Sequence, residues 1–254
     1  MTRKVRADRL LVARGLVGSR SRAQALILAG KVKCGGRMLV KPGELLPEDA
    51  PLQLEGLDHP WVSRGGIKLD FALGHFGVDP AGLVCLDLGA STGGFTDVLL
   101  TRGAARVHAV DVGQEQLHPR LRADPRVISL EGVNARYLKP GQLGEMVDLL
   151  VCDVSFISLR RLLPAPLALV KPGGVLVALI KPQFELGREA VGKRGVVRDP
   201  ALHAEACGAV VRWLEQEAGW RVEGLVESPI TGPEGNREFL VKAVKREEGH
   251  SLAT

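Results

Sequence analysis

The chain has 254 residues, 45% of them hydrophobic, and a formal net charge of +5, enough for one large domain with a substantial core plus a small one. No apolar run approaches the roughly 18 residues needed to cross a bilayer, and residues 1–14 hold no signal-peptide core; an integral membrane protein is excluded and a cytoplasmic one expected. Four scattered cysteines, Cys34, Cys85, Cys152 and Cys207, form no Cys-x-x-Cys pair and read as reduced, buried, small hydrophobes.

Charge is segregated along the chain. Residues 1–41 hold eleven Lys and Arg against the single acid Asp8, a balance of +10, while the remaining 23 basic and 28 acidic residues sum to −5. A segment so basic implies a polyanion partner, with nucleic acid first. Leu10, Leu11 and Ala13 predict a helix within residues 6–17 that Gly15 stops. Ser19 precedes a second helix carrying Ala23, Leu26 and Ile27, closed by Gly30. Extended pieces 31–34 and 38–40, joined by Gly35-Gly36, predict a hairpin.

The order Asp8-Arg9-Leu10-Leu11, then Ser19-Arg20-Ser21-Arg22-Ala23-Gln24-Ala25-Leu26-Ile27, then Ala29-Gly30-Lys31-Val32 resembles the S4 RNA-binding domain over about residues 5–55. RNA contacts are expected from Arg3, Lys4, Arg6, Arg9, Arg20, Arg22, Lys31 and Lys33. Residues 1–60 contain no Phe, Trp or Tyr, so phosphate and shape recognition of structured RNA is expected rather than stacking on unpaired bases. A Pro-, Gly- and acid-rich stretch, 42–60, finishes this unit. The expected domains are 1–58, a linker 59–64, a catalytic domain 65–246 and a polar tail 247–254.

The catalytic domain is built around Leu83-Val84-Cys85-Leu86-Asp87-Leu88-Gly89-Ala90-Ser91-Thr92-Gly93-Gly94-Phe95. An apolar run, a turn of small residues and then helical spacing read as strand, tight turn and helix, the first half of a doubly wound nucleotide site. The glycine spacing is G-x-x-x-G-G rather than the G-x-G-x-x-G that cradles a pyrophosphate, which suits a nucleoside cofactor without phosphates, such as S-adenosylmethionine. Asp111, 18 residues beyond Gly93 at the end of the next apolar run, sits near the spacing at which an acid bonds ribose hydroxyls.

Alternation continues with a helix from Leu69 that brings Lys68 to the sheet, a strand at 107–112, a helix around 114–122, strands at 127–130 and 147–153, and a helix near 159–170. A strand at 175–181, a functional loop at 183–198, a helix at 200–218 and extended pieces at 220–227 and 238–245 complete it. The pattern predicts an α/β fold: a Rossmann-like seven-stranded methyltransferase sheet preceded by a small α+β domain.

In such sheets ligands sit beyond the carboxyl ends of the strands, where Asp111, Asp153 and Lys181 fall. A lysine closing a buried strand is costly unless paired, and Asp153 is its natural partner. Phe95 and Phe156 read as core, and His108 and His118 have no metal-spaced partners, so no metal is expected.

The segments Leu86–Thr96, Cys152-Asp153-Val154-Ser155-Phe156-Ile157-Ser158-Leu159, Lys181-Pro182-Gln183-Phe184-Glu185 and Gly235-Asn236-Arg237-Glu238-Phe239 resemble the TlyA family. These are ribosomal RNA 2'-O-methyltransferases, historically called hemolysins, built from an S4 domain and an FtsJ-like catalytic domain. The resemblance covers essentially the whole chain. It implies S-adenosylmethionine as cofactor and, as acceptor, a cytidine 2'-hydroxyl in ribosomal RNA of the large subunit and, in some members, of the small subunit as well. It also implies a Lys-Asp-Lys-Glu tetrad at Lys68, Asp153, Lys181 and Glu238. The chain departs from the family's preference for a basic residue near His59 or Pro60.

The chemistry fits the tetrad. A ribose hydroxyl must lose its proton while attacking a sulfonium methyl; Lys181 acts as base or as electrostatic stabiliser of the alkoxide, with the base preferred. Lys68 adds positive field, and the two acids orient the lysines. Gly89, Ser91, Thr92, Gly93 and Gly94 are expected around the methionine end of the cofactor, Asp111 on its ribose, and Asn134 either on its adenine or bonded to its own turn. Three rivals remain. A base methyltransferase would carry Asn/Asp-Pro-Pro-aromatic where this chain has Asp153-Val154-Ser155-Phe156. A membrane-active protein lacks an amphipathic membrane segment here. A non-catalytic RNA-binding assembly factor would be expected to have lost a tetrad residue. A monomer interacting with ribosomal subunits is expected.

Overall fold

A computed structural model describes residues 4–14, 16–17, 20–54, 59–192, 195–232 and 235–247, without the side chains of Arg22 and Arg188. Arg3, Gly15 and Ser19 lie outside the described residues, as does the side chain of Arg22.

The small N-terminal unit runs β1 (Lys4–Arg6), α1 (Ala7–Ala13), α2 (Arg20–Leu28), β2 (Val32–Cys34), β3 (Arg37–Met38), β4 (Leu45–Pro47) and β5 (Leu52–Leu54). Strand β1 pairs with β4, and β3-β2-β5 form a second antiparallel sheet. Gly35 and Gly36 both take positive φ, +56° and +82°, the conformation that two-residue hairpin turns need and side chains resist. Leu10, Leu11, Ile27 and Leu39 are fully buried, each contributing about 1.5–3 kcal/mol by burial. Asp8 is buried with them. Its carboxylate accepts from Arg6 at 3.0 Å, Arg20 at 2.9 Å and Gln24 at 2.8 Å, and the Arg6 guanidinium in particular holds it well below the usual carboxylate range. The one acid of the basic segment thus ties strand to helices from inside.

The large unit is one seven-stranded sheet: β6 (Val84–Leu88), β7 (Arg106–Asp111), β8 (Val127–Glu131), β9 (Val147–Cys152), β10 (Val170–Ile180), β11 (Trp220–Glu227) and β12 (Phe239–Lys245). Its order is β11-β12-β10-β9-β6-β7-β8; β6 to β10 run parallel and β12 is antiparallel to both its neighbours. The chain winds outward from β6 through β7 to β8, then returns to lay β9 on the other side of β6. That reversal opens a crevice at the carboxyl ends of β6 and β9.

Helices α3 (Gly65–Phe76) and α4 (Gly94–Thr101) bury Leu69, Leu73, Val98 and Leu99 on one face. On the other, α7 (Leu159–Leu162), α8 (Pro164–Ala168) and α10 (Pro200–Gln216) bury Leu162, Leu167, Val210 and Leu214. Between them in sequence lie the single turns α5 (Pro119–Arg122), α6 (Pro140–Leu143) and α9 (Pro182–Glu185), with 3-10 turns at Ala135–Tyr137 and Arg188–Ala190.

Four elements differ from expectation. The helix expected around 114–122 is only the turn 119–122, because the Glu131 carboxylate takes the backbone N–H groups of Glu115, Gln116 and Leu117 and Pro119 opens the helix at its first position. The helix near 159–170 is broken at Pro164. The loop expected over 183–198 includes α9 and a 3-10 turn. Strand β10 starts at Val170, with a register shift before Val175 at a Gly173 of positive φ.

Candidate active site

The tetrad residues come from four elements and converge at the crevice. Lys68 lies in the first turn of α3, which begins at Gly65, four residues before Leu69. An ammonium there opposes the helix dipole and is buried, and two carboxylates compensate it. Glu238, one residue before β12, places Oε2 2.6 Å from Lys68 Nζ, and Asp153 Oδ2 is 3.6 Å away. Asp153 follows β9, its N–H donating to the Leu88 carbonyl of β6 at 3.0 Å. Lys181 follows β10, where Pro182 ends the strand by lacking an N–H. Lys181 Nζ lies 2.5 Å from Asp153 Oδ1 and donates to Ser155 Oγ at 3.0 Å. The Lys181–Asp153 contact is a charge pair without good hydrogen-bond alignment. Two ammonium and two carboxylate groups sum to zero, which is how so many charges are tolerated in a nearly dry site.

Two cavities meet at this cluster. One, of about 320 Å³, is lined by Lys68, Asp153, Lys181, Ser155, Gly89, Ser91, Thr92 and Gly94 among others. The second, of about 440 Å³, is lined by Gly89, Ser91, Asp111, Val112, Gln116, Asn134, Asp153 and Ser155 among others. Gly89, Ser91, Asp153 and Ser155 border both. Glu238 lines neither and touches the cluster through Lys68.

The glycine loop serves packing as much as access. At Gly89, with φ of +79°, a Cβ would lie 2.6 Å from the Asp153 carbonyl oxygen; at Gly94 it would lie 2.2 Å from Ser63 Oγ. Gly93 lines neither cavity, and its missing Cβ makes room for Leu117 and Leu121. Ser91 adopts φ of +48°, and its N–H donates to Asp111 Oδ2 at 2.8 Å while Gly113 N–H donates to Oδ1 at 2.7 Å. Each carboxylate oxygen keeps a further lone pair for a hydroxyl. Asn134 accepts from the Arg136 N–H at 3.0 Å, the turn bond that was one of its two expected roles, and also borders the second cavity.

Phe95 is core as expected, but Phe156 is not. It is 90% exposed at φ of +70°, a conformation strained for an aromatic residue and typical of functional positions. The strained backbone directly beyond β9 turns the ring out at the cavity mouth. Ser155 and Gln116 also border the cavities without having been singled out as site residues. Nothing in their residue type marks them; they are found through the sheet edge that carries them. No group of acids, histidines and cysteines among the described residues is arranged to hold a metal.

Residues 61–64, expected as linker, pack on the catalytic domain. The Val62 N–H donates to Asp97 at 2.8 Å, and Trp61 covers Gly66, where a Cβ would fall 2.3 Å from its ring. In the small unit, Lys4, Arg9 and Arg20 are exposed, while Arg6, Lys31 and Lys33 are half-buried. Two of these cations, Arg6 and Arg20, are paired with Asp8.

Strand order, glycine loop and the acid closing β7 define a Rossmann-type methyltransferase joined to an RNA-binding unit. The sequence pattern of FtsJ-like methyltransferases matches residues 61–245 and that of the S4 domain residues 5–50. The chain is 49% identical to the 16S/23S rRNA (cytidine-2'-O)-methyltransferase TlyA of Mycobacterium tuberculosis, over 95% of this chain and 90% of that one. It is 36% identical to the 23S rRNA (cytidine-2'-O)-methyltransferase TlyA of Campylobacter jejuni, over 82% and 81%. A solved structure named as a hemolysin from Streptococcus thermophilus superposes with a TM-score of 0.77 at 42% identity, covering 97% of this chain and 90% of that one. The chain belongs to the TlyA family, whose members pair an S4 domain with an FtsJ-like methyltransferase domain.

Proposed function

We propose that the protein methylates the 2'-hydroxyl of a cytidine in ribosomal RNA of the large subunit, using S-adenosylmethionine. The observation that carries the reading is the convergence of Lys68, Asp153 and Lys181, with Glu238 behind Lys68, on a cavity that meets one bordered by Asp111. The residues fit the cofactor: Gly89, Ser91, Thr92 and Gly94 border the tetrad end, Gly93 supports the turn from behind, and Asp111 and Asn134 border the far end. When bound, the cofactor supplies an electrophilic methyl group on sulfur.

Lys181 faces the acceptor. As a neutral amine its Nζ takes the 2'-hydroxyl proton while the oxygen attacks, or as an ammonium it holds the developing alkoxide by charge. Asp153 fixes its position, Lys68 adds positive field, and Glu238 keeps Lys68 in place. The exposed Phe156 ring offers a stacking face to an unpaired base. The S4 unit, with Arg3, Lys4, Arg6, Arg9, Arg20, Arg22, Lys31 and Lys33, grips structured RNA through its phosphates. We assign residues 1–58 to that unit, 59–64 to the connection, 65–246 to catalysis and 247–254 to a polar tail. The protein works as a monomer on ribosomal subunits in the cytoplasm; no described helix is long and apolar enough to cross a membrane.

The test is incubation of the protein with labelled S-adenosylmethionine and separated 30S and 50S subunits lacking the modification, followed by mapping of the methylated nucleotide. Label on a cytidine ribose of the 50S subunit is expected. Label on 30S as well would widen the substrate, and no label on either, with cofactor bound, would overturn the ribosomal reading.

A further inference from the structure

We infer that the catalytic domain carries its own RNA subsite, a pocket between Arg136, Arg161 and Phe184 that takes the nucleotide joined to the acceptor. The inference rests on the RNA methyltransferase reading above and adds a point of RNA recognition that the S4 unit does not provide.

The pocket is a cavity of about 710 Å³, well within the roughly 300–1,000 Å³ of small-molecule sites. It opens beside the cofactor cavity, and Phe156 and Ile157 line both. Phe184 stands three residues beyond Lys181 on α9, so the pocket wall and the tetrad are fixed by the same strand end. Its half-buried ring lies 5.2 Å from that of Phe156, tilted by 48°. The two rings pack against each other at the shared mouth, and their outer faces offer a stacking platform for a base.

Charge points to the same place. Across the catalytic domain, Arg102, Arg106, Arg120, Arg122, Arg126, Arg221 and Arg237 each have a carboxylate partner. In the pocket, Arg160 lies 3.6 Å from the buried Glu185, whose other oxygen accepts the Leu159 N–H. Arg136 and Arg161 are exposed and, among the described residues, have no carboxylate partner; Arg136 rests against the Tyr137 ring, 5.6 Å from its centroid. Arg64, Arg198, Arg212 and Arg246 are also exposed without a carboxylate partner among the described residues, but only Arg136 and Arg161 line one cavity together. In a stretch whose net charge is −5 over residues 42–254, two unneutralised guanidinium groups flank one cavity at the active-site mouth. Guanidinium forks match phosphate oxygens, and a phosphodiester flanked by stacked bases is the ligand that uses both features. Net domain charge read from sequence hides this, because it does not tell paired arginines from unpaired ones.

The experiment compares the full-length protein with Arg136→Ala/Arg161→Ala and Phe184→Ala variants on 50S subunits lacking the modification. Affinity is measured over a range of salt concentrations, together with KM for the subunit and the dissociation constant of S-adenosylmethionine. Removing the arginines is expected to weaken subunit binding about 5- to 50-fold and to reduce the slope of log K against log salt by about one for each phosphate no longer neutralised. Cofactor affinity stays at the wild-type value. Phe184→Ala is expected to raise KM for the subunit with the salt slope unchanged, because stacking involves no charge pairing. Wild-type KM and salt slope in the arginine variant, with methyl transfer intact, would overturn the subsite and leave the reaction standing. An altered salt slope in a protein that transfers no methyl group to RNA would do the reverse.

Discussion

Asp153 and Lys181 stand 2.5 Å apart at the carboxyl ends of neighbouring strands, and the pair exists because β9 and β10 run parallel, with β10 reaching two residues beyond the end of β9. Lys181→Ala removes the group we propose to face the acceptor and is expected to lower kcat by about 10²–10⁴-fold while S-adenosylmethionine binds as before. Lys181→Arg separates the two roles left open for this residue. Arginine keeps the charge but cannot lose its proton, so activity within about 10-fold of wild type would make Lys181 an electrostatic stabiliser, and loss as deep as in the alanine variant would make it the base.

The close approach of α3 to α4 gives a second expectation. A Cβ at Gly94 would meet Ser63 Oγ at 2.2 Å and the Gly66 nitrogen at 3.0 Å, so Gly94→Ala pushes the first turn of α3, and Lys68 with it, away from Asp153. Overpacking of this kind destabilises by roughly 1–3 kcal/mol, and methyl transfer should fall more than the melting temperature suggests. Ser63→Ala removes the nearest atom and should restore part of both. A fully active Gly94→Ala protein would mean that this close approach does not position Lys68.

The strand–helix alternation and two tetrad residues are legible because local pattern carries them: apolar runs ending in Asp111, Asp153 and Lys181 mark the ligand edge of a parallel sheet, whereas Glu238 enters only through the family resemblance. Lys68 was harder, since its helix begins at two glycines that helical propensity argues against and only the tertiary fit under Trp61 explains. The region 113–118 misled because its backbone is held by Glu131, a side chain distant in sequence. Phe156 misled for a related reason: an aromatic residue between Val154 and Ile157 reads as core, and nothing local announces a left-handed backbone. Fold and ligand edge follow short-range rules, whereas the rim of the site is set by long-range contacts.

Asp87 offers a pH test inside the core. It is fully buried on β6, its Oδ2 accepting from Thr96 Oγ1 at 2.7 Å while Oδ1 has no hydrogen-bond partner. Burial pushes its carboxyl up to about 7, partly offset by the Thr96 hydroxyl. An acid whose folded value lies above the unfolded one, near 3.9, binds its proton more tightly when folded. Its ionisation therefore destabilises the fold as pH rises from about 4 to about 7, by on the order of 4 kcal/mol. Asp87→Asn removes that titration, so its stability relative to wild type should climb over this window and level off above it. Denaturant melts at several pH values measure the difference, and parallel curves for the two proteins would show that Asp87 does not titrate there.

Asp8 should behave in the opposite sense. Its carboxyl is held low by Arg6, with Gln24 and Arg20 adding to the effect, so its stabilising contribution is complete above the unfolded value near 3.9 and disappears as pH falls toward the folded value. Asp8→Asn is therefore expected to melt below wild type at pH 7, and the two curves should converge under strongly acid conditions. The same substitution frees Arg6 and Arg20 from their internal partner. If those guanidinium groups serve RNA, the variant should bind 50S subunits with an unchanged or steeper salt dependence wherever it remains folded. If instead Asp8 is what orients them, affinity falls and the salt slope becomes shallower. Melting curves and salt titrations on the same preparation distinguish a lost fold from a lost orientation, because only the second leaves the melt cooperative at the temperature of the binding assay.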